Sequence, residues 1–298
     1  MMRPLFYLFF PAWLTAQSLA LTFDDGPKLA ATPLLSATAR NTALLKHLTS
    51  RQIQGMFFVT LKNGTNQPEG LALAKTLGAG GQLLANHTVN HPDFNAEATN
   101  LVAFQQEVMG CDTVLRTLPG FRAYFRFPYL REGATESKRE GIRTFLRAQG
   151  YRIGYVSIDT CDWLIDGKLQ SKLEKDPGTN LKSWRNLYLG HLWERAQAYD
   201  RLARRIYGRE IPHVLLLHHN LLNALFLGDV IDLFQAKGWR IVSPEMALTD
   251  VAYQVEPQVL PVDGSVLESS AKALGIPLKP FFQGVRSERK IGEEADKI

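Results

Sequence analysis

The sequence predicts an α/β fold built on a parallel sheet, and three observations carry that prediction. Seven short runs rich in β-branched, aromatic or leucine residues recur along the chain, and longer stretches of helical period lie between them. Strand–helix units in alternation lay their strands parallel. The chain has 298 residues, 45% hydrophobic and 21% charged, enough for one large α/β domain or two small ones.

The strand runs are Ser18–Phe23, Met56–Leu61, Gln82–Ala85, Tyr124–Phe127, Arg152–Ile158, His213–Leu217 and Trp239–Val242, bounded by Gly, Pro or Asn. The first helical stretch, Ala37–Arg51, puts Leu44, Leu45 and Leu48 on one face. Others cover Gly70–Leu77, Leu101–Leu118, Ser137–Gln149, Ser183–Tyr207 and Leu222–Lys237. Gly150 and Gly238 follow two of these, where helix stops belong. Closed into a barrel, such units present function at the C-terminal ends of the strands. An open doubly wound sheet is the alternative, but no GxGxxG follows the first strand to hold a dinucleotide.

Outside this region the chain changes character. Residues 1–16 read as an export signal: Arg3 gives the charge, Leu5 to Leu14 the apolar run and Ala16 the small residue for cleavage, with the mature chain starting near Gln17. The run is about ten residues where a membrane-spanning helix needs about 20. Pro4 and Pro11 also argue against a span, and a buried N-terminal strand or helix is the alternative. An exported protein, periplasmic or secreted, is expected. The main domain is expected over 17–250. An extension, 251–298, is interrupted by Pro257, Pro261, Pro277 and Pro280, and its charged end from Arg286 is expected to be irregular and mobile.

The net charge of +5 is mild. The cluster Arg201, Arg204, Arg205 and Arg209 reads as a solvated helix face, or as attraction to an anionic polymer such as a wall polysaccharide. No nucleic-acid-binding motif accompanies it, so no nucleic-acid partner is expected. Cys111 and Cys161 lack CxxC spacing, which leaves a disulfide or two buried thiols.

Five polar clusters fall at the ends of predicted strands. The first strand ends in Thr22-Phe23-Asp24-Asp25-Gly26-Pro27. One of its two carboxylates can bind a cation while its neighbour handles protons; a solvated Asp-Gly turn is the bland alternative. The third leads into His87-Thr88-Val89-Asn90-His91, with histidines four apart as on one face of a helical turn. Two histidines and one aspartate leave metal positions open for water and substrate, a set that suits zinc hydrolysis and also non-haem iron oxygenases. Arg126-Phe127-Pro128-Tyr129 follows the fourth strand, Asp159-Thr160-Cys161-Asp162-Trp163 the fifth and Leu215-Leu216-Leu217-His218-His219 the sixth. An arginine there can hold Asp24 ionised, and a tryptophan can stack on a sugar.

These five segments, in this order, resemble the five motifs of polysaccharide deacetylases, the NodB-homology domain of carbohydrate esterase family four. The resemblance runs from about Leu19 to Ala247. It implies an α/β fold of a particular kind, a distorted (β/α)7 barrel. It implies that Asp25, His87 and His91 bind a divalent metal, zinc first, with cobalt or nickel as substitutes. Asp24 would be the general base, tuned by Arg126, and His218 the general acid. Asp159 or Asp162 would hold Arg126 or His218 in place, with Asp159 favoured. The Tyr129 backbone amide would face the oxyanion, Leu216 would line the pocket for the acetyl methyl group, and Trp163 would wall the groove. The partner implied is an acetylated glycan.

Two departures stand out. His219 follows His218 where the family usually has aspartate, and the stretch Leu164–Ile211 is long and carries its own amphipathic helix, an insertion near 164–211. Deacetylation of N-acetylglucosamine units in peptidoglycan, chitin or a related oligosaccharide is the favoured expectation. An O-acetyl esterase on xylan or another glycan is the runner-up. A glycan binder without catalysis and an iron-dependent oxygenase are the remaining alternatives.

Overall fold

The run that opens the described chain, residues 16–298 of the computed structural model, is buried on both sides of its pleat. A strand of that kind belongs inside a parallel sheet covered on both faces. It forms β1 (Ser18–Asp24), the central strand. The others are β2 (Met56–Val59), β3 (Leu83–Asn86), β4 (Phe121–Phe125), β5 (Arg152–Ile153), β6 (Ile158–Asp159), β7 (His213–His218) and β8 (Arg240–Ile241). Their order is β5-β4-β3-β2-β1-β7-β6, all pairings are parallel, and β8 pairs with the start of β1. The register sets Asp24 beside Phe58 of β2 and His218 of β7, so two of the polar strand ends are direct neighbours.

The fifth predicted strand is two strands. β5 pairs with β4 and β6 with β7, so residues 154–157 cross a seam where the barrel's hydrogen bonding is interrupted. Gly154 lies just past β5, where there is no room for a side chain. Its amide donates to Phe125 O and its carbonyl accepts from Arg126 Nε, and an added Cβ would lie 2.3 Å from the Phe58 ring. The result is an incomplete α/β barrel of parallel strands.

The helices are α1 (Ala37–Thr49), α2 (Pro68–Ala79), α3 (Leu101–Leu115), α4 (Glu136–Ala148), α5 (Asp162–Lys175), α6 (Leu181–Tyr207), α7 (Leu221–Ala236), α8 (Pro244–Ala247), α9 (Val266–Ala273), α10 (Lys279–Phe282) and α11 (Glu288–Ala295). Helix α1 starts where the Ser36 hydroxyl caps the Ala39 amide, and it packs on α7. The insertion holds two helices where one was expected. α6 buries Trp184, Tyr188, Leu192 and Tyr199, a helical stripe facing the domain, and α5 buries Ile165, Leu169 and Leu173. A main core of aliphatic side chains fills the space between sheet and helices, and a smaller cluster around Phe94, Phe104, Phe125 and Phe127 lies under α3 and α4.

The C-terminal segment is not the irregular, mobile tail expected. It crosses the seam: Val262 bridges Gly133, and the Val266 amide donates to Val156 O at 2.8 Å. A capping box of Ser265 and Glu268 then starts α9. α11 buries Ile291 and Ala295 against α5, and Arg286 pairs with Glu194 of α6 and with Glu294. The segment orders because its apolar positions meet an uncovered face of the insertion. Two arginines of the cluster at the end of α6 pair with carboxylates, Arg204 with Asp200 and Glu210, and Arg209, just past the helix, with Asp250. Cys111 and Cys161 are both free and buried, so the thiol alternative applies. The expected export signal lies, apart from Ala16, outside the described residues. Among the described residues no helix is long and apolar enough to cross a membrane.

Candidate active site

Neighbouring strand residues normally point to opposite faces. Asp24 and Asp25 nevertheless line one pocket, because Asp25 leaves β1 in the left-handed region at φ 66° and turns its carboxylate back. The second cluster corrects an expectation. His87 to His91 is not a helical turn; Thr88 and His91 have φ of 71° and 55°, and the segment is a loop. Asn86 Oδ1 accepts from the Thr88 amide, and Thr88 Oγ1 accepts from the His91 amide. These bonds fold the loop so that the imidazoles meet, ring centres 4.9 Å apart.

The ligating atoms of Asp25, His87 and His91 lie within 4.8 Å of one another. Asp25 Oδ1 is 3.4 Å from His91 Nε2 and 3.9 Å from His87 Nε2. The His87 Nδ1 donates to Arg126 O at 2.8 Å, which fixes the tautomer and leaves the Nε2 lone pair facing the cluster. Burial, then His87, holds His91 down to about 4, so its ring is neutral at ordinary pH. Burial pushes the Asp25 carboxyl up, but the charges of Lys28 and then His218 outweigh it and keep its acidity well above normal. Two imidazoles and one carboxylate, with open space beside them, fit a divalent cation.

Asp24 is nearly buried, and its Oδ1 accepts from Arg126 Nη1 at 2.7 Å while its Oδ2 lies 3.7 Å from His87 Nε2. Arg126 is itself fixed by bonds to Thr22 Oγ1 and Gly154 O and by the Phe58 ring beneath its guanidinium.

The carboxylate on His218 is Asp162, and the expectation that favoured Asp159 is corrected here. Asp162 Oδ1 is 2.6 Å from His218 Nδ1, and its Oδ2 accepts from the His218 amide and from Asn220 and Asn223. Asp162 is the first residue of α5, and the left-handed Cys161 before it swings the side chain under β7. Asp159 stays on β6, accepts from the Cys161 amide at 3.2 Å and faces the pocket. Burial works to lower the His218 pKa, but Asp162 outweighs it and raises it to about 9. His219 points the other way into the core, bonded to Asn41 Oδ1 at 3.1 Å, and burial then Arg40 push it down to about 3.

The pocket above these groups has a volume of about 520 Å³. Leu216 lies in its floor, with the half-exposed Tyr129 and Trp163 rings among its walls. Tyr129 stands at φ 59° with its ring 4.5 Å from that of His91. The sequence reading missed Lys62, Leu130, Arg131 and Gly264, which also line it. Arg131 sits just past the third motif. Lys62 and Gly264 come from a turn after β2 and from the C-terminal segment, where no motif pointed.

Residues 14–152 match the polysaccharide deacetylase family. A peptidoglycan-N-acetylglucosamine deacetylase of Bacillus cereus is 28% identical over 145 residues, 48% of this chain and 46% of that protein. A chitin deacetylase of Colletotrichum lindemuthianum is 29% identical over 174 residues, 54% of this chain and 62% of that protein. The chain thus spans less than two thirds of the length of these curated relatives. The solved structure of the chitin deacetylase from Colletotrichum lindemuthianum has a similar fold, with a TM-score of 0.53 at 20% identity, covering 79% of this chain and 89% of that one. Over residues 14–152 the chain is matched to the polysaccharide deacetylase family, and its fold and strand-end clusters agree with that match.

Proposed function

We propose that this protein is a metal-dependent hydrolase that removes acetyl groups from a carbohydrate, with N-acetylglucosamine units of peptidoglycan, chitin or a related oligosaccharide as its substrate class. One observation carries the reading. A carboxylate backed by arginine and an imidazole backed by carboxylate sit at adjacent strand ends, Asp24 beside His218, next to the Asp25, His87 and His91 cluster.

A zinc ion held by Asp25, His87 and His91 would polarise the acetyl carbonyl and make water acidic enough to attack. Asp24 accepts the proton that water gives up, and Arg126 holds its carboxylate in place through the Nη1 hydrogen bond. Water's oxygen bonds to the carbonyl carbon, and the charge that gathers on the carbonyl oxygen faces the Tyr129 amide. His218 gives its proton to the nitrogen as the carbon–nitrogen bond breaks, releasing acetate and a free amine. An amine leaves poorly without that proton, and Asp162 favours the protonated ring. This favours amide substrates over O-acetyl esters. Leu216 bounds the space for the acetyl methyl group, and Trp163 offers its ring to a sugar face. Polymers of this kind lie outside the cytoplasm, in keeping with the export signal read at residues 1–16.

The test is acetate release from N-acetylglucosamine oligomers and from acetylated xylan, with chelator and then with zinc restored. Zinc-dependent release from the oligomers is expected, with slower release from xylan. A preference for xylan would make it an esterase, and no release from either would end the proposal.

A further inference from the structure

The pocket continues beyond Tyr129 into a second groove of about 630 Å³, and Tyr129, Arg131, Asp159 and Gly264 wall both. The far side of that groove is made by residues outside the segment matched to the family. Arg195 comes from α6, and Asp263, Glu268 and Lys272 come from the C-terminal segment that crosses the seam. The insertion and the extension therefore meet at this groove.

Its chemistry is particular. Asp159 stands where the two spaces join. Its backbone carbonyl is held by Arg195 Nε at 2.7 Å, while among the described residues its carboxylate accepts only from the Cys161 amide at 3.2 Å and the Cys161 thiol at 4.0 Å. It thus keeps acceptor capacity for a ligand. Asp263 and Lys272 stand exposed on the rim, one acceptor and one donor. The Tyr129 ring is 54% exposed at the junction and offers a flat apolar face. Carboxylates accept from hydroxyls, an ammonium donates to them, and an aromatic face covers the C–H side of a pyranose. With both signs of charge present, the lining suits a neutral polyhydroxylated chain better than an anionic one.

We propose that this groove holds the sugar units adjoining the one deacetylated, so that α6 and the C-terminal segment set a preference for oligomers over single sugars. The proposal rests on the deacetylase reading for which sugar reacts, but the groove can be tested by binding alone. The probe is a neutral β-1,4-linked N-acetylglucosamine hexamer, against the zinc-loaded full chain carrying Asp263→Ala and Lys272→Ala together. Losing hydrogen bonds to two charged groups should cut kcat/KM on the hexamer roughly ten-fold, mainly through KM. Turnover of 4-nitrophenyl acetate, too small to reach the groove, should stay within about two-fold. In the Asp24→Asn background, calorimetry should show hexamer affinity weakened by roughly ten-fold as well. Unchanged hexamer affinity would overturn the proposal, as would an equal loss on the small ester. If the unsubstituted chain binds the hexamer without releasing acetate, and the double variant loses that binding, the deacetylase reading fails and the groove stands.

Discussion

His218 Nδ1 lies 2.6 Å from Asp162 Oδ1, and the other oxygen of that carboxylate is filled by three N–H donors. Burial alone would push Asp162 toward its neutral form, yet His218 and these bonds outweigh it and hold it ionised. The pair gives His218 a proton through the neutral range. Protonated below about 9, the ring loses that proton as pH rises through the same value.

Asp162→Asn keeps the shape and removes the charge, so the alkaline limb of kcat/KM should move to lower pH. Amide hydrolysis at pH 8 should drop by roughly a hundred-fold, the scale of general-acid catalysis. An activated acetate ester, whose leaving group needs no proton, should lose less. The profile on both substrates is the measurement, and an alkaline limb that stays in place would refute the assignment.

Asp25→Ala, His87→Ala and His91→Ala should each lower zinc content and activity together, read by elemental analysis of purified protein. His91 is neutral above about 4, so zinc should be held at neutral pH and released as acid protonates the ligands. Full activity in stripped protein would contradict the cluster's role.

Asp24→Asn should separate the neighbouring aspartates. It should keep zinc while turnover falls by roughly a hundred-fold or more, because the amide cannot take a proton. Loss of zinc from Asp24→Asn, with retention in Asp25→Asn, would mean that the two roles are exchanged.

His219 and Gly26 make a packing test. A Cβ added at Gly26 would lie 2.3 Å from His219 Cβ, contact between strand ends that admits no side chain. Gly26→Ala should cost about 1–3 kcal/mol as an overpacking change, lowering Tm by roughly 3–10 °C. His219→Ala should also act on stability, and amide turnover should suffer far less than in His218→Ala. Selective loss of amide hydrolysis in His219→Ala would reverse that assignment.

Much of this architecture was legible because its signals are local. Apolar runs ending in polar residues marked β1 and β7, and the resemblance of the second run to a family motif singled out His218. The split of β5 from β6 was hidden because it is defined by which strands the two halves pair with, β4 and β7, and no local window shows that. Helix α5 escaped because it begins at a left-handed cysteine with no side-chain cap, although Ile165, Leu169 and Leu173 have helical spacing. The choice between Asp159 and Asp162 depended on that same turn. The C-terminal helices were masked by prolines and charge; their order comes from contacts with α5 and α6, which no window of the sequence contains.

The position of β1 between β2 and β7 also sets an order in time. Asp24, Asp25, His87, His91 and Arg126 all belong to the stretch from β1 to just past β4, whose neighbouring strands are joined by moderate loops. His218 arrives only when β7 docks on β1, a pairing in which Thr22 and Leu215 bond across 193 residues. Closing so long a loop is entropically costly and slow. The cation cluster should therefore assemble early in refolding and the proton donor late. Pulse-labelled hydrogen exchange should find β2 and β3 amides protected before those of β7, and the reverse order would contradict this sequence of events.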